Sequence, residues 1–306
     1  MTTGSLTPLI VDNDGGLDDA LAIVLLARSD HVRLVGVSAV HGNVTAAAAA
    51  ANSNRLLEIV GDHTTPVALG ASEPLAQPLH LAHPNDLLAR LVGRPRRRRS
   101  AATPAADQII ALAKEHAGEL DLLTTGPMTN IALALQAAPE LPQLLRRVVV
   151  MGGAFDGGNI TAHAESNVYH DPEAADTVFA AGFDLTVVPL DVTQTATATR
   201  PWLAALTRTA PPLRMKLGAA LAWLAAGSTR IPDLRMHDAL AAAILLDPTI
   251  ATAEHVAPVE VVLDAYEHRG QTITTDSRDR RSATIVQSAD TSVFRSLLLR
   301  ALSTRR

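Results

Sequence analysis

The sequence predicts an α/β fold, in which one domain is built on a mostly parallel, Rossmann-like central sheet with helices on both faces. Three observations support this prediction. Short apolar runs rich in β-branched residues alternate with longer segments of helical periodicity, as in parallel sheets that are buried on both faces. No linker rich in glycine, serine or proline divides the chain into two cores. The chain has 306 residues, 47% of them hydrophobic, so we expect residues 1–306 to form a single domain around one large core.

The predicted strands and helices follow one another along the chain. Strand-type runs occupy residues 9–12, 34–40, 66–69, 121–124, 148–151, 185–190 and 259–263. Helical periodicity fills the segments between them, at residues 17–28, 45–60, 105–116, 129–137, 172–181, 211–226 and 238–246. A polar turn separates the run at 259–263 from a second run at 271–275, which predicts a late antiparallel hairpin.

Composition excludes several classes of function. The net charge of -5 and the pI near 6.1 argue against general nucleic-acid binding, and the basic run at residues 94–99 is expected to be a solvated loop. The chain has no cysteine, which excludes disulfides and thiolate chemistry. We find no secretory signal and no apolar stretch of the roughly 18 residues that a membrane span needs. The expectation is a cytoplasmic protein without nucleic-acid or membrane partners.

The most informative segment is an acidic turn between the first predicted strand and the first predicted helix. It contains Asp12, Asp14, Asp18 and Asp19, and Gly15 and Gly16 permit the turn between them. A helix N-terminus stabilises one carboxylate by about 0.3–1 kcal/mol, but four carboxylates so close repel one another. A helix-capping role for Asp18 would explain only one of the four. A bound hard cation would hold all of them ionised, so the segment predicts a metal site.

Other polar residues follow later strands and can converge on the same edge of the sheet, where open α/β sheets bind ligands. They are Asn43, Thr125, Asn130, Asn159, Glu165, Asn167, Asp171, His237 and Asp238. Several have a structural explanation when taken alone: Asp238 suits a helix cap, and Asp171-Pro172 is a generic helix start. Taken together, carboxylates, amides and a histidine at successive strand ends predict a pocket for a metal ion and a polyol.

At these positions the chain resembles the nucleoside N-ribohydrolases of the inosine-uridine-preferring type. Residues 12–20 match the family motif Asp-x-Asp-Pro-Gly-x-Asp-Asp-Ala at every position but the proline. Further matches follow in the family's order, at residues 42–43, 125–130, 151–153, 158–159, 165–167, 171–175 and 237–238. The resemblance spans nearly the whole chain and implies the nucleoside hydrolase fold.

The resemblance also implies a role for each matched residue. Asp14, Asp19, Asp238 and the backbone carbonyl of Thr125 would hold a calcium ion, and Asp14 would also deprotonate the attacking water. The ribose hydroxyls would be bound by Asp18, Asn159, Glu165 and Asn167, with Asn43 beside the metal and Met151 under the sugar. His237 would donate a proton to the departing base. The implied partner is a small-molecule ribonucleoside, and the implied assembly is a homodimer or homotetramer.

The chemistry of the reaction suits these residue types. Calcium takes six to eight oxygen ligands, and carboxylates stabilise the oxocarbenium-like sugar that forms when a glycosidic bond breaks. A histidine titrates near neutral pH and suits proton delivery to the base. Binding through the 2′- and 3′-hydroxyls would penalise deoxyribose, because buried polar partners would be left unpaired.

The chain departs from the family pattern at several positions. Gly15 replaces the proline of the motif, which is expected to loosen the turn while keeping its geometry accessible. Ser166 stands where many members carry phenylalanine, which affects substrate preference. His83 is a candidate base contact. Residues 214–235 are expected to form a mobile flap over the base, where Trp223 either stacks on the base or belongs to the core.

Two other functions fit parts of the sequence. A magnesium-dependent aspartyl phosphatase would use Asp12 as nucleophile, but Asp18 and Asp19 and the scarcity of lysine speak against it. A nucleoside- or ribose-binding protein with weak or lost catalysis is the third hypothesis, and the intact Asp14 and His237 argue against it.

Overall fold

The structure is a computed structural model that describes residues 6–96, 103–199, 201–203, 205, 234–264 and 266–303. Its strands, in chain order, are β1 (Thr7–Asn13), β2 (Val32–Ala39), β3 (Val67–Leu69), β4 (Leu120–Thr124), β5 (Leu145–Met151), β6 (Leu185–Val188), β7 (Thr197–Ala198), β8 (Leu234–Arg235), β9 (Ala251–Ala257), β10 (Val259–Val261), β11 (Thr272–Thr274) and β12 (Ala283–Ala289). Its α-helices are α1 (Leu17–Ala27), α2 (Ala46–Val60), α3 (Leu87–Val92), α4 (Ala105–Glu115), α5 (Thr129–Ala137), α6 (Leu141–Leu144), α7 (Ser166–His170), α8 (Pro172–Ala180), α9 (Leu190–Thr193), α10 (His237–Leu246) and α11 (Thr291–Ser303).

In the described part of the chain, the central sheet has eight strands in the order β3-β2-β1-β4-β5-β6-β12-β9. All neighbouring pairs are parallel except β12 and β9, which run antiparallel at one edge. The strands β10 and β11 form a separate antiparallel hairpin, and β7 and β8 form another antiparallel pair. The fold is therefore a single α/β domain with a mostly parallel sheet, as predicted.

The inner strands are buried because helices cover both faces of the sheet. One large apolar cluster lies on the face covered by α1, α2, α10 and α11, and a second lies on the face covered by α4, α5 and α8. The helix α10 is almost entirely buried, since its sequence is nearly all alanine, leucine and isoleucine. Its packing against α1 brings the N-termini of these two helices to the same edge of the sheet.

The predicted hairpin at 259–263 and 271–275 is confirmed by β10 and β11. The predicted strand at 185–190 ends earlier, at Val188, because Pro189 caps a short helix that starts at Leu190. Strands β9 and β12 were not predicted, nor were the short helices α3, α6, α7 and α9 or the final helix α11. The predicted helix at 211–226 lies outside the described residues.

The described part of the basic run at residues 94–99 lies at the surface. Arg94 and Arg96 are exposed, as expected for a solvated loop, while Arg97–Arg99 lie outside the described residues. Among the helices that the structure describes, none combines the length and apolar character required to cross a membrane.

Candidate active site

The site lies where the order of the strands reverses. The chain passes from β1 to β2 and β3 on one side, and then to β4, β5 and β6 on the other. The loops after β1 and β4 therefore diverge and leave a crevice at the carboxyl ends of these strands, which is the usual ligand position in such sheets. Asp14 follows β1 directly, and Thr125 follows β4 directly. The backbone N–H of Thr125 donates to the carbonyl of Asp12 over 2.9 Å, which holds the two loops together.

The acidic turn is held by hydrogen bonds from its own helix. Helix α1 begins at Leu17 with Gly16 as its N-cap, so Asp18 lies in the first turn and does not cap the helix. Asp19 reaches back instead, and its Oδ2 accepts from the Gly16 backbone N–H over 2.7 Å. The other oxygen of Asp19 accepts from the Thr125 hydroxyl over 2.5 Å. Asp19 is thereby fixed between the two loops of the crevice.

The turn at Gly15 differs from the one expected. Gly15 has a φ of 78°, in the left-handed region, where a proline with φ fixed near −65° does not fit. Glycine leaves the geometry of the family's proline accessible, as expected, but this chain adopts a different one. A Cβ atom at Gly15 would also lie 2.6 Å from Cα of Ala49, so the close approach of α2 requires glycine here.

Asp14 is buried, and both of its carboxylate oxygens accept from Asn43. Its Oδ2 accepts from the backbone N–H of Asn43 over 2.7 Å, and its Oδ1 accepts from the Asn43 side-chain amide over 2.8 Å. Burial raises the pKa of Asp14 to about 6, although hydrogen bonding with Asp19 and with Asn43 opposes this shift. A carboxylate with both oxygens positioned and a pKa near neutrality suits a general base.

Asp238 brings a further carboxylate to the cluster. It lies in the first turn of α10, after the N-cap Met236, so it does not cap the helix. Carboxylate oxygens of Asp18, Asp19 and Asp238 lie within 4.8 Å of one another. Burial, together with the neighbouring negative charges, raises the pKa values of Asp19 and Asp238 well above their ordinary range.

The cluster fits a bound cation. The carboxylates of Asp14, Asp19 and Asp238 are buried beside one another, and no salt bridge to a lysine or arginine joins any of them among the described residues. Packing negative charges together in this way is costly unless a cation neutralises them. The oxygen-only donors favour a hard divalent ion. The trio with carboxylate oxygens within 4.8 Å of one another contains Asp18 where the predicted ligand set has Asp14.

Asp12 is separate from this cluster. It is fully buried, and its Oδ1 accepts from the Asn130 side-chain amide over 2.7 Å. Burial raises the pKa of Asp12 to about 7, and the charge of Asp14 adds to this shift. Asn130 in turn accepts from the backbone N–H of Ala71 over 2.8 Å. The first aspartate of the motif therefore supports the loops, and it lies outside the trio of Asp18, Asp19 and Asp238.

The opposite wall carries the predicted sugar-binding residues. Glu165 caps α7, and its carboxylate accepts from the backbone N–H groups of Gly153, Asn167 and Val168 at 2.9–3.1 Å. Burial nevertheless raises the pKa of Glu165 to about 7. The Asn167 side-chain amide donates to the carbonyls of Met151 and Thr125 over 3.0 and 3.2 Å, so it spans the ends of β5 and β4.

Two further predicted residues lie at the rim. Asn159 is exposed, and its Oδ1 accepts from the backbone N–H of Ser166 over 2.9 Å. His83 is also exposed, and its backbone N–H donates to the carbonyl of Asn43 over 2.8 Å. Trp223 and most of the predicted flap at 214–235 lie outside the described residues.

His237 faces the cavity from the N-terminus of α10. Its Nδ1 lies 2.8 Å from the hydroxyl of Thr193, which fixes the orientation of the ring. Burial lowers the pKa of His237, while the charge of Asp18 opposes this shift. Thr193 was not predicted, because a lone threonine in a short helix gives no signal in the sequence.

Among the described residues, these groups line one cavity of about 940 Å3. The predicted residues on its surface are Asp18, Asn43, His83, Thr125, Met151, Asn159, Glu165, Asn167, His237 and Asp238. Asp14 and Asp19 lie under this surface, almost fully buried. Residues from both ends of the chain are therefore brought together in one concave site.

Comparison with known proteins gives the same picture. A profile of the family described as "Inosine-uridine preferring nucleoside hydrolase" matches residues 9–296. "Uridine nucleosidase 1" of Arabidopsis thaliana is 36% identical over 62% of the chain, and this alignment spans 58% of the relative's length. "Pyrimidine-specific ribonucleoside hydrolase RihA" of Shewanella woodyi is 34% identical over 97% of the chain and 98% of its own length.

Similarity to solved structures extends over the whole fold. The solved structure of a plant nucleoside hydrolase superposes with a TM-score of 0.90 at 27% identity, covering 98% of this chain and 100% of its own. The ordered site residues, the profile match and the full-length relative agree. The chain belongs to the inosine-uridine preferring nucleoside hydrolase family.

Proposed function

We propose that this protein hydrolyses the N-glycosidic bond of ribonucleosides and releases the free base and ribose, with calcium as its cofactor. One observation carries the proposal: the buried carboxylates at the switch point share a cavity with Glu165, Asn167 and His237. This places oxygen donors for a cation, hydrogen-bonding groups for a sugar and an imidazole for a leaving group around one space. Family membership supports the same reaction.

The residues of the site have separate roles in the proposed hydrolysis. Asp14 accepts a proton from the attacking water, and Asn43 orients the carboxylate for this task. His237 delivers a proton to the departing base, with Thr193 holding its ring in place. Glu165 and Asn167 bind hydroxyls of the ribose, and the carboxylate of Glu165, near that of Asp14, brings negative charge to the ring. This charge stabilises the oxocarbenium-like transition state.

The proposed calcium ligands are Asp14, Asp19, Asp238 and the carbonyl of Thr125, with Asp18 left to the sugar. A calcium ion at this position supplies positive charge that keeps the carboxylates ionised and lowers the pKa of a nearby water. The carbonyl of Thr125 already accepts from Asn167 over 3.2 Å, which links the proposed cation site to the sugar wall. Protons and the cation compete for the same oxygens.

Base release from a panel of ribo- and deoxyribonucleosides, with calcium and with a chelator, tests this proposal. We expect turnover of ribonucleosides that the chelator abolishes, and turnover of 2′-deoxyribonucleosides lower by about a hundredfold or more. The family description and the relatives differ in the bases they name, so the panel includes inosine, uridine, cytidine and adenosine.

Asp14→Asn and Asp276→Asn form a matched pair for the same assay. Asp14→Asn should lower kcat by about 10²- to 10⁴-fold because it removes the base. Asp276 is exposed and lies outside the cavity, so its substitution should leave turnover unchanged. Absence of turnover for every ribonucleoside with calcium present would contradict the proposal and favour a nucleoside-binding protein.

A further inference from the structure

One arginine lies on the wall of the main cavity and has no part in the proposed reaction. Among the described residues that line this cavity, Arg235 is the only lysine or arginine, whereas Asp18, Asp86, Glu165 and Asp238 are acidic. The Arg235 side chain is exposed, and no acidic side chain in the described part of the chain forms a salt bridge with it. Because a guanidinium stays charged in proteins, a positive charge is available to a molecule in this cavity.

Arg235 lies close to His237 on this wall. It ends β8 and is followed by Met236, which is fully buried, and then by His237 at the start of α10. Met236 therefore turns into the core, while the residues on either side of it line the cavity. The charge of Arg235 also reaches the imidazole, since burial lowers the pKa of His237 and this neighbouring positive charge adds to the shift.

The part of a ribonucleoside nearest to Arg235 is the base. This step rests on the proposed function, in which the ribose lies at the carboxylates and the base lies at His237. Arg235 forms no salt bridge with Asp18 or Asp238 among the described residues, so its guanidinium is not drawn into the carboxylates that face the sugar and the cation. A base that receives a proton from His237 therefore presents neighbouring atoms of its ring to Arg235.

The wall around Arg235 suits a planar ring. The strands β7 and β8 are paired so that Thr197 lies opposite Arg235 and Ala198 lies opposite Leu234. All four of these residues line the cavity. Two of them offer apolar surface, one offers a neutral hydroxyl, and Arg235 alone offers a charge. Ligand pockets commonly combine apolar walls with a few polar groups that fix the orientation of the ligand.

A guanidinium distinguishes bases by their exocyclic groups. It only donates hydrogen bonds, so it binds a carbonyl oxygen but meets an exocyclic amino group donor to donor. Arginine reads guanine in DNA through its O6 and N7 atoms, whereas adenine carries an amino group in place of O6. Hypoxanthine and uracil likewise carry an oxygen where adenine and cytosine carry an amino group. When the glycosidic bond breaks, its electron pair stays with the base, and a nearby positive charge stabilises the negative charge that spreads onto such an oxygen.

We propose that Arg235 is a specificity-determining residue, which donates to the carbonyl oxygen at C6 of a purine or at C4 of a pyrimidine. His237 supplies the proton to the leaving base, and Arg235 recognises the oxygen and stabilises the charge that develops on it. The protein then prefers ribonucleosides whose base carries an oxygen at this position over those whose base carries an amino group.

The test compares kcat/KM for inosine with adenosine, and for uridine with cytidine, using the calcium-loaded protein. We expect the oxygen-bearing member of each pair to be preferred by about tenfold or more, and Arg235→Ala to lower that ratio by about tenfold or more. A ratio near one in the unaltered protein, or a ratio that Arg235→Ala leaves unchanged, would overturn the role of Arg235 alone. If no ribonucleoside is hydrolysed, the proposed function fails, and the inference falls with it.

Matched variants separate base recognition from a general loss of activity. Arg235→Lys keeps the charge without the planar fork of donors, so its ratio should lie between those of the unaltered protein and Arg235→Ala. Arg278 is exposed and lies outside the cavity, so Arg278→Ala should keep both the ratio and kcat. Arg235 is exposed as well, so Arg235→Ala should keep the Tm of the protein. Equal losses of kcat/KM for both members of a pair would indicate a structural role and would overturn the proposal.

Discussion

At the scale of single residues, Asp12 and Asp14 have different roles although they are only two positions apart. Asp12 lies within β1 and is hydrogen-bonded to Asn130, so it supports the loops. Asp14 lies just past the end of the strand and meets Asn43 under the cavity. The sequence shows both as members of one acidic motif. Only the position of the strand end separates a supporting carboxyl from a candidate catalytic one.

The placement of most site residues in one cavity was predictable because their types and order match a family pattern. The structure brings Glu165, Asn167 and His237 to one cavity, as the resemblance implied. Thr193 was not predictable, since its contact with His237 depends on how α9 packs beside α10. The sequence also could not reveal the left-handed conformation of Gly15, because glycine permits many conformations and specifies none.

Gly15 and Gly61 provide a matched test of the acidic turn. Their φ values are 78° and 81°, but a Cβ atom would meet the backbone of Ala49 at Gly15 and nothing within 4 Å at Gly61. Gly61→Ala should cost only the backbone strain of about 1–2 kcal/mol. Gly15→Ala should cost about 1–3 kcal/mol more because of the clash, and it should lower activity by moving Asp14. Equal losses of unfolding free energy in chemical denaturation would contradict this account of the turn.

His237→Ala tests the leaving-group role through the choice of substrate. Inosine and uridine release a base that needs a proton, so their kcat/KM should fall by about 10²- to 10⁴-fold. A p-nitrophenyl riboside releases a stable phenolate and needs no acid, so it should lose less than tenfold. Thr193→Val keeps the imidazole but removes its partner, and we expect an intermediate loss confined to the nucleosides. Equal losses on both kinds of substrate would argue for a structural role of His237.

At the scale of elements, some strands and helices that build the fold around the site are easier to recognise from the sequence than others. The strands β1, β4 and β5 were predicted because each is an apolar run buried on both faces. Strand β9 was missed because most of its residues are exposed at the edge of the sheet, where no apolar pattern is required. The missed helix α7 has five residues, too few for a period, and it is held by the cap from Glu165.

The strand β4 has a separate role at each end. Thr125 follows its carboxyl end in the site, whereas Asp121 lies near its start and is fully buried. Asp121 accepts from Arg146 over 2.8 and 2.5 Å and from Arg147 over 3.0 Å. The start of β4 is therefore joined to β5 by partly buried, charge-assisted hydrogen bonds.

Asp121→Ala should destabilise the protein by about 2–3 kcal/mol, below the full range for a broken buried ion pair because both arginines are partly exposed. The kcat of the remaining folded protein should be unchanged, since Asp121 lies at the opposite end of the strand from the site. Glu140→Ala is the control, because it removes an exposed pair with Lys114 and should not change the unfolding free energy measurably. A fall in kcat without loss of stability would contradict the assignment of a purely structural role to Asp121.

At the scale of the whole molecule, the fold brings together buried carboxyl groups whose pKa values are raised. Burial raises the pKa of Asp14 to about 6 and that of Glu165 to about 7, and the pKa values of Asp19 and Asp238 lie well above their ordinary range. A carboxyl whose pKa is higher in the folded state binds its proton more tightly there than in the unfolded chain. The metal-free protein should therefore lose stability as the pH rises from about 4 through 7, because the buried carboxyls must then ionise.

Calcium should reverse this trend, since it binds the ionised carboxylates and not the protonated ones. The stabilisation by a ligand at a hundred times its Kd is about 2.7 kcal/mol, so saturating calcium should raise the Tm by several degrees at pH 8. At pH 5 protons occupy the same oxygens, and the calcium-induced shift should be much smaller. The measurement is the Tm at pH 5 and pH 8, each with a chelator and with calcium. Asp19→Asn should reduce the shift at pH 8, and Asp276→Asn should keep it. Equal calcium shifts at the two pH values would mean that the ion does not bind at these carboxylates.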